Sequence, residues 1–172
     1  MDNTDPSWER RLSILWGELD RHEPQIFVQQ IELLVRELPP SSAIASFERA
    51  SAQDSTGHPE AAVPLYRAAL EQGLSGSRRL RSTIQRARSL RHLGNAAEAA
   101  DLLFGELRAP SDELDGAVRA FLALALVDLE REREAVALSL EALSGYLPRY
   151  NKSLARYASA IAVAPNSGKR EL

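Results

Sequence analysis

Apolar residues recur at helical spacing along nearly the whole chain, and the strict alternation of a strand is almost absent. Asp5-Pro6-Ser7 offers a capping side chain followed by proline in the first turn. It predicts a helix from about Ser7 to Leu19 that buries Trp8, Leu12, Leu15, Trp16 and Leu19. Pro24 opens a second helix with Phe27, Ile31, Leu34, Val35 and Leu38 on its inner face. Pro39-Pro40 ends it, because proline removes a backbone donor and restricts the residue before it. Residues 1–40 therefore read as a helical hairpin. Further helices are predicted over about Ser42–Asp54, His58–Gln72, Arg78–Leu93 and Ala96–Leu107. Between them lie Ser55-Thr56-Gly57, the glycine-rich turn from Gly73 to Ser77, and Gly94-Asn95. Pro110-Ser111 punctuates next, with Asp112 and Glu113 in a first turn where negative charge suits the helix dipole. A last helix, about Arg149 to Val163, carries Tyr150, Leu154, Tyr157 and Ile161 on one face. It reads as a capping helix over residues 148–164, with 165–172 as a mobile tail.

The chain also repeats itself. The segments Gly57 to Leu70, Gly94 to Leu107 and Glu130 to Leu143 align, and their alanines Ala62, Ala99 and Ala135 fall 37 and 36 residues apart. Each segment follows an amphipathic helix of similar length, on which Ala50, Ala87 and Ala123 supply the small residues that close helix approach needs. Large residues fill the gaps between: Leu65, Tyr66 and Leu70, then Leu102, Leu103 and Leu107, then Leu138, Leu140 and Leu143. One helix pair cannot bury its apolar face alone, so neighbouring pairs must stack. Two positions depart from the pattern. Pro64 lies inside a predicted helix and removes one backbone hydrogen bond there. Glu130-Arg131-Glu132-Arg133-Glu134 replaces the glycine turn of the other repeats with residues that all favour helix, yet repeat analogy places a break there.

These units resemble tetratricopeptide repeats. The run from Phe47-Glu48-Arg49-Ala50 to Ala69-Leu70, with Asp54-Ser55-Thr56-Gly57, Leu65-Tyr66-Arg67 and Ser89-Leu90-Arg91-His92-Leu93-Gly94, is similar to the bacterial group called tetratricopeptide repeat group 5. The resemblance covers about Pro40 to Leu147. It implies an all-α, right-handed α-solenoid of antiparallel helix pairs: three pairs over residues 41–147, between the N-terminal hairpin and the capping helix. It also implies a protein–protein interaction scaffold or adaptor with a peptide or protein partner, and no catalytic role.

Composition narrows the function further. At 172 residues, 44% hydrophobic and 26% charged, the chain has the balance of an ordinary globular protein. The longest uncharged apolar run, Ala120 to Val127, is far below the roughly 20 residues of a membrane span. The acidic start Met1 to Asp5 lacks the apolar stretch of a secretory signal, so cytoplasmic residence is expected, with no membrane partner. There is no cysteine, which removes disulfides, thiol catalysis and cysteine-ligated metals. The net charge of −3 argues against nucleic acid. Of the 21 basic residues 19 are arginine, a bias that fits a GC-rich genome as well as a function.

Candidate chemistry is sparse. His22, His58 and His92 have no metal-ligand spacing, Gly73-Leu74-Ser75-Gly76 is a turn and no nucleophile elbow, and no phosphate loop occurs. No catalytic residue, cofactor or metal is expected. One stretch stands out: no acidic residue lies between Glu71 and Glu98, where Arg78, Arg79, Arg81, Arg86, Arg88 and Arg91 cluster. Leu80, Thr83, Ala87 and Leu90 face the paired helix, and Arg81, Ile84, Arg88, Arg91 and His92 form a neighbouring stripe. The resemblance implies that this stripe faces a concave groove. The corresponding stripes are Ile44, Phe47, Ser51, Asp54 and Ser55 in the first repeat, and Ala117, Ala120, Leu124, Val127 and Asp128 in the third.

The groove read from this pattern consists of Phe47, Asp54, Arg81, Gln85, Arg88, Arg91 and His92, and its ligand is an acidic or carboxylate-bearing peptide. The competing reading is intramolecular, with Arg81 or Arg88 paired to Asp54, Glu48 or Asp128. The third stripe is apolar, and the capping helix, with its matching apolar face, is expected to cover it. Left uncovered, it supports an alternative function as a structural homodimer module that associates through apolar helix surfaces.

Overall fold

The computed structural model describes residues 4–109 and 113–163. Among the described residues the chain is all-α, with no strand. Its helices are α1 (Pro6–Gly17), α2 (Pro24–Val35), α3 (Ala43–Ser55), α4 (Pro59–Glu71), α5 (Gly76–His92), α6 (Ala96–Glu106), α7 (Asp115–Asp128), α8 (Glu132–Ser144) and α9 (Asn151–Val163). A 3-10 turn, Leu19–Arg21, follows α1. The expected punctuation at Pro110-Ser111, the first-turn Asp112 and the segment 165–172 lie outside the described residues. The chain divides into two compact units, Met1–Asn95 and Ala96–Leu172.

Local chemistry sets the helix ends. The Asp5 carboxylate accepts from the Ser7 amide at 2.7 Å, and Pro6 occupies the first turn of α1. Ser42 caps α3 through the Ala45 amide. Pro64 is accommodated within α4, which stays continuous from Pro59 to Glu71. The first two repeats turn in the same way. Gly57 and Gly94 adopt left-handed backbone, and the amide of the following residue returns to the carbonyl five positions back: His58 to Gln53 and Asn95 to Leu90, both at 2.9 Å.

The third repeat builds this turn without glycine. Glu130 takes φ 58°, and the Arg131 amide reaches the Leu126 carbonyl at 2.9 Å. The helix-favouring run is therefore broken between α7 and α8, because the ends of two stacked helices fix the turn and Glu130 bears the strain.

In the first unit α2 packs on α1 and α3, α4 packs along α3, and α5 packs against both α3 and α4. Trp8, Leu12, Phe27, Ile31 and Val35 are buried as the helical spacing predicts, while Leu15, Trp16, Leu19 and Leu38 pack at the edge of that core. Trp16 meets Phe27 edge-on at 5.0 Å, and Phe47 lies 6.2 Å from Tyr66. Ala50 and Ala62 are fully buried, as the close approach of α3 and α4 requires.

In the second unit α7 packs on α6 and α8, and α9 packs along α8. Leu103, Val118, Leu122 and Leu126 form its centre, with Ala99 and Ala135 at close approach. Two expectations fail here. The seam of α9 is not formed by its tyrosines: Ala158 is the buried residue, Leu154 and Ile161 are half-buried, and Tyr150 and Tyr157 point outward. The smallest side chain sets a close helix contact, so the seam follows Ala158. The apolar stripe of α7 is also not covered by α9, which lies along α8; Leu124 and Val127 remain 44% and 49% exposed.

Candidate peptide-binding surface

Within the first unit, α3 and α5 lie side by side and place Arg78, Arg81, Gln85, Arg88 and His92 along one face of α5, at alternating spacings of three and four. Opposite stand Phe47, Glu48, Ser51 and Asp54 of α3.

Asp54 is the fixed point of this face. Its side chain is buried, and it accepts from the Ser89 hydroxyl at 2.9 Å and from an Arg88 guanidinium nitrogen, with the Tyr66 hydroxyl at 3.4 Å. Burial, first of all, raises the Tyr66 phenol well above its ordinary pKa, so Tyr66 remains a neutral donor beneath the carboxylate. Arg88 is nearly half exposed. Only one edge of its guanidinium is turned to Asp54, and the planar fork has other donors to offer. Arg81 is exposed, with its guanidinium 5.5 Å above the Phe47 ring. Gln85 stands between them, half-buried, 3.5 Å from the Ser51 hydroxyl.

The predicted groove residues thus divide. Asp54, Arg81, Gln85 and Arg88 come together across α3 and α5. Arg91 is half-buried and His92 exposed at the last turn of α5. Phe47 has no exposed surface; it lies in the core and acts only as the platform beneath Arg81. Ile84 is likewise buried, which leaves Gln85 as the residue of the exposed stripe.

A network one turn before Arg81 escaped the sequence reading. Arg78 donates to Glu48 at 3.1 Å and to both carboxylate oxygens of Glu9, at 3.0 and 2.7 Å. The Trp16 indole donates to the other oxygen of Glu48 at 2.9 Å. Glu48 is 3% exposed, and burial pushes its pKa up against the opposing pull of Arg78. Arg78 itself bonds Glu9, whose carboxyl is held below the ordinary range. Arg78 therefore ties α1, α3 and α5 together. The signal for it was its place in the helical pattern, where it continues the stripe of Arg81, Gln85 and Arg88 toward the start of α5.

Among the described residues no group of three histidine, aspartate or glutamate side chains converges as a metal site. No helix among them is long and apolar enough to cross a membrane.

The family model of the tetratrico peptide repeat matches residues 43–161. The chain belongs to the tetratricopeptide repeat family. The match runs from the start of α3 into the last turn of α9, including both halves of the α3–α5 face. Tetratricopeptide repeat domains are generally non-catalytic scaffolds, and the family suggests a protein–protein interaction scaffold for this chain. No curated protein and no solved structure matches it.

Proposed function

We propose that this tetratricopeptide repeat protein is an adaptor that holds a carboxylate-bearing peptide segment of a protein partner against the α3–α5 face. The observation that carries the reading is the pair of exposed guanidiniums, Arg81 and Arg88. Each is pre-oriented by a buried neighbour, Phe47 or Asp54, and each keeps free edges toward solvent. Guanidiniums so placed lose little rotamer freedom on binding a carboxylate and can meet it bidentately. Gln85 between them adds an amide for a peptide carbonyl or N–H. Arg91 and His92 extend the basic surface by one turn.

The test is fluorescence anisotropy with a labelled hexaglutamate peptide, against a hexaglutamine control. Wild type is expected to prefer the acidic peptide, and Arg81→Ala/Arg88→Ala to bind it about tenfold or more weakly, equivalent to roughly 1.4 kcal/mol. Equal binding by wild type and a fully helical double variant would sink the reading.

The exposed apolar stripe of α7, Leu124 with Val127, favours a second reading in which the protein is a structural homodimer. A sedimentation velocity series separates them. A concentration-dependent dimer lost in Leu124→Lys, with no acidic-peptide binding, would support self-association instead.

A further inference from the structure

The chain's own repeats allow burial to be compared position by position. Ala50, Ala87 and Ala123 are the buried close-approach alanines of α3, α5 and α7, and Ala158 continues the series in α9. Aligned on these, Ala45, Ser82 and Val118 correspond to Ser153, and all three are buried, whereas Ser153 is exposed. Ala52, Ser89 and Ala125 correspond to Ala160; again the three are buried and Ala160 is exposed. Leu122, fully buried, corresponds to Tyr157, which is 58% exposed. Ser153, Tyr157 and Ala160 fall three to four residues apart and share one face of α9.

The same holds on α8. Val63 and Ala100 are buried, yet Val136 in their column is 48% exposed; Leu70 and Leu107 are half-buried, yet Leu143 is 49% exposed. Since α9 packs along α8 as α7 packs on α6, α9 has the place of a repeat's first helix, and the exposed positions are those that are buried or half-buried in earlier repeats.

The geometry points to α8 and α9 forming a docking face for one amphipathic helix of a partner protein, seated where the second helix of a fourth repeat would lie. The small residues Ser153 and Ala160 permit close approach, and Val136, Leu143 and Tyr157 supply apolar contact. Charge selects the occupant. Lys152 and Arg156 lie on α9 beside this face, and no carboxylate occurs from Arg149 to Val163. The docked helix therefore carries alanine and leucine on its inner face and glutamate on the flank that meets α9, since α8 itself bears the exposed Glu132 and Glu141. The chain's own second helices have that make-up, as Glu132, Glu134 and Glu141 of α8 show. This proposal rests on residues of α8 and α9 alone and does not depend on the α3–α5 face.

The probe is a labelled synthetic peptide with the sequence of α8, Glu132–Ser144, titrated against the full chain. It is expected to bind in the micromolar range. A peptide with its three glutamates replaced by lysine is expected to bind at least tenfold more weakly, and so is the glutamate peptide to an Ala160→Glu variant of unchanged helicity. Ala160 is exposed, so that substitution leaves the fold intact; Ser153→Glu provides a second, independent block. Equal binding by wild type and both variants, or none at millimolar peptide, overturns the proposal. A dimer of the chain alone that Ala160→Glu dissolves overturns it in favour of a second copy as occupant.

Discussion

Arg88 and Asp54 are joined across two successive repeats, 34 residues apart in sequence, and the two partners differ in kind. Asp54 is buried beneath Ser89, Tyr66 and Arg88, while Arg88 is nearly half exposed. The pair is thus unequal in stability and should be unequal in mutation. Asp54→Ala takes the acceptor from the buried Tyr66 hydroxyl, while the Ser89 hydroxyl keeps the Gln85 carbonyl, and it is expected to destabilise by about 2 kcal/mol. Arg88→Ala removes a screened partner and is expected to cost less than about 1 kcal/mol. Urea unfolding of both variants tests this. Equal effects would mean that Arg88, and not the buried hydroxyls, holds Asp54 in place.

Glu130 performs the task that glycine performs in the other two turns, at φ 58° against 89° for Gly57 and 82° for Gly94. A side chain in left-handed backbone is unfavourable by about 1–2 kcal/mol, part of which glycine returns through its greater unfolded-state freedom. Glu130→Gly is therefore expected to stabilise by about 0.5–1 kcal/mol. Gly57→Ala, whose added methyl meets open space but faces the same backbone strain, is expected to destabilise by about 1 kcal/mol. Thermal unfolding checks both signs. A destabilised Glu130→Gly would mean that the Glu130 side chain itself stabilises the turn.

That turn shows how far the sequence could be read. The repeat period placed a break at Glu130 against every local propensity, because stacking of helix pairs is a property of the whole array. The buried sides of α1 and α2 were legible for the same reason: large apolar residues at helical spacing have only one way to be covered. The seam of α9 was not. A reading weighted by side-chain size put Tyr150 and Tyr157 inside, whereas contact at short interaxial distance selects Ala158. On the candidate surface, Arg81, Arg88 and Asp54 were legible as a stripe. Phe47 was not legible as buried, because helical spacing fixes a direction and not the depth of the neighbour. Arg78 was missed as the link to Glu9 because a partner 69 residues away leaves no periodic trace.

Ser82 is fully buried in α5, and its hydroxyl has no hydrogen-bond partner among the described residues. Its column is occupied by Ala45 in α3, where the same packing needs no polar atom. Ser82→Ala is expected to stabilise by about 1 kcal/mol by removing an unsatisfied buried group at nearly constant volume. A loss of stability in chemical denaturation would show that the hydroxyl is paired in solution.

The Arg78 network predicts a stability optimum in mild acid. Glu48 has a raised pKa in the folded state because it is buried, so the folded chain binds its proton more readily than the unfolded chain does. As pH falls from neutrality through that folded value, Glu48 protonation adds stability. Glu9 behaves oppositely. The Arg78 hydrogen bonds hold its folded pKa below the ordinary 4.5, and Glu32 is held down likewise by Arg49. Their contribution is complete above 4.5 and is lost as pH falls through the lowered folded values. Denaturant midpoints measured from about pH 3 to pH 8 are therefore expected to rise slightly toward 4.5 and to fall below it. Glu48→Gln should abolish the rise and keep the fall. Glu9→Gln should keep the rise and lessen the fall, of which Glu32 retains its share, at a cost near neutrality of about 1 kcal/mol, after allowance for the partial exposure of Glu9. A rise that persists in Glu48→Gln would assign the acid-side stabilisation to another carboxylate and remove Glu48 as its origin.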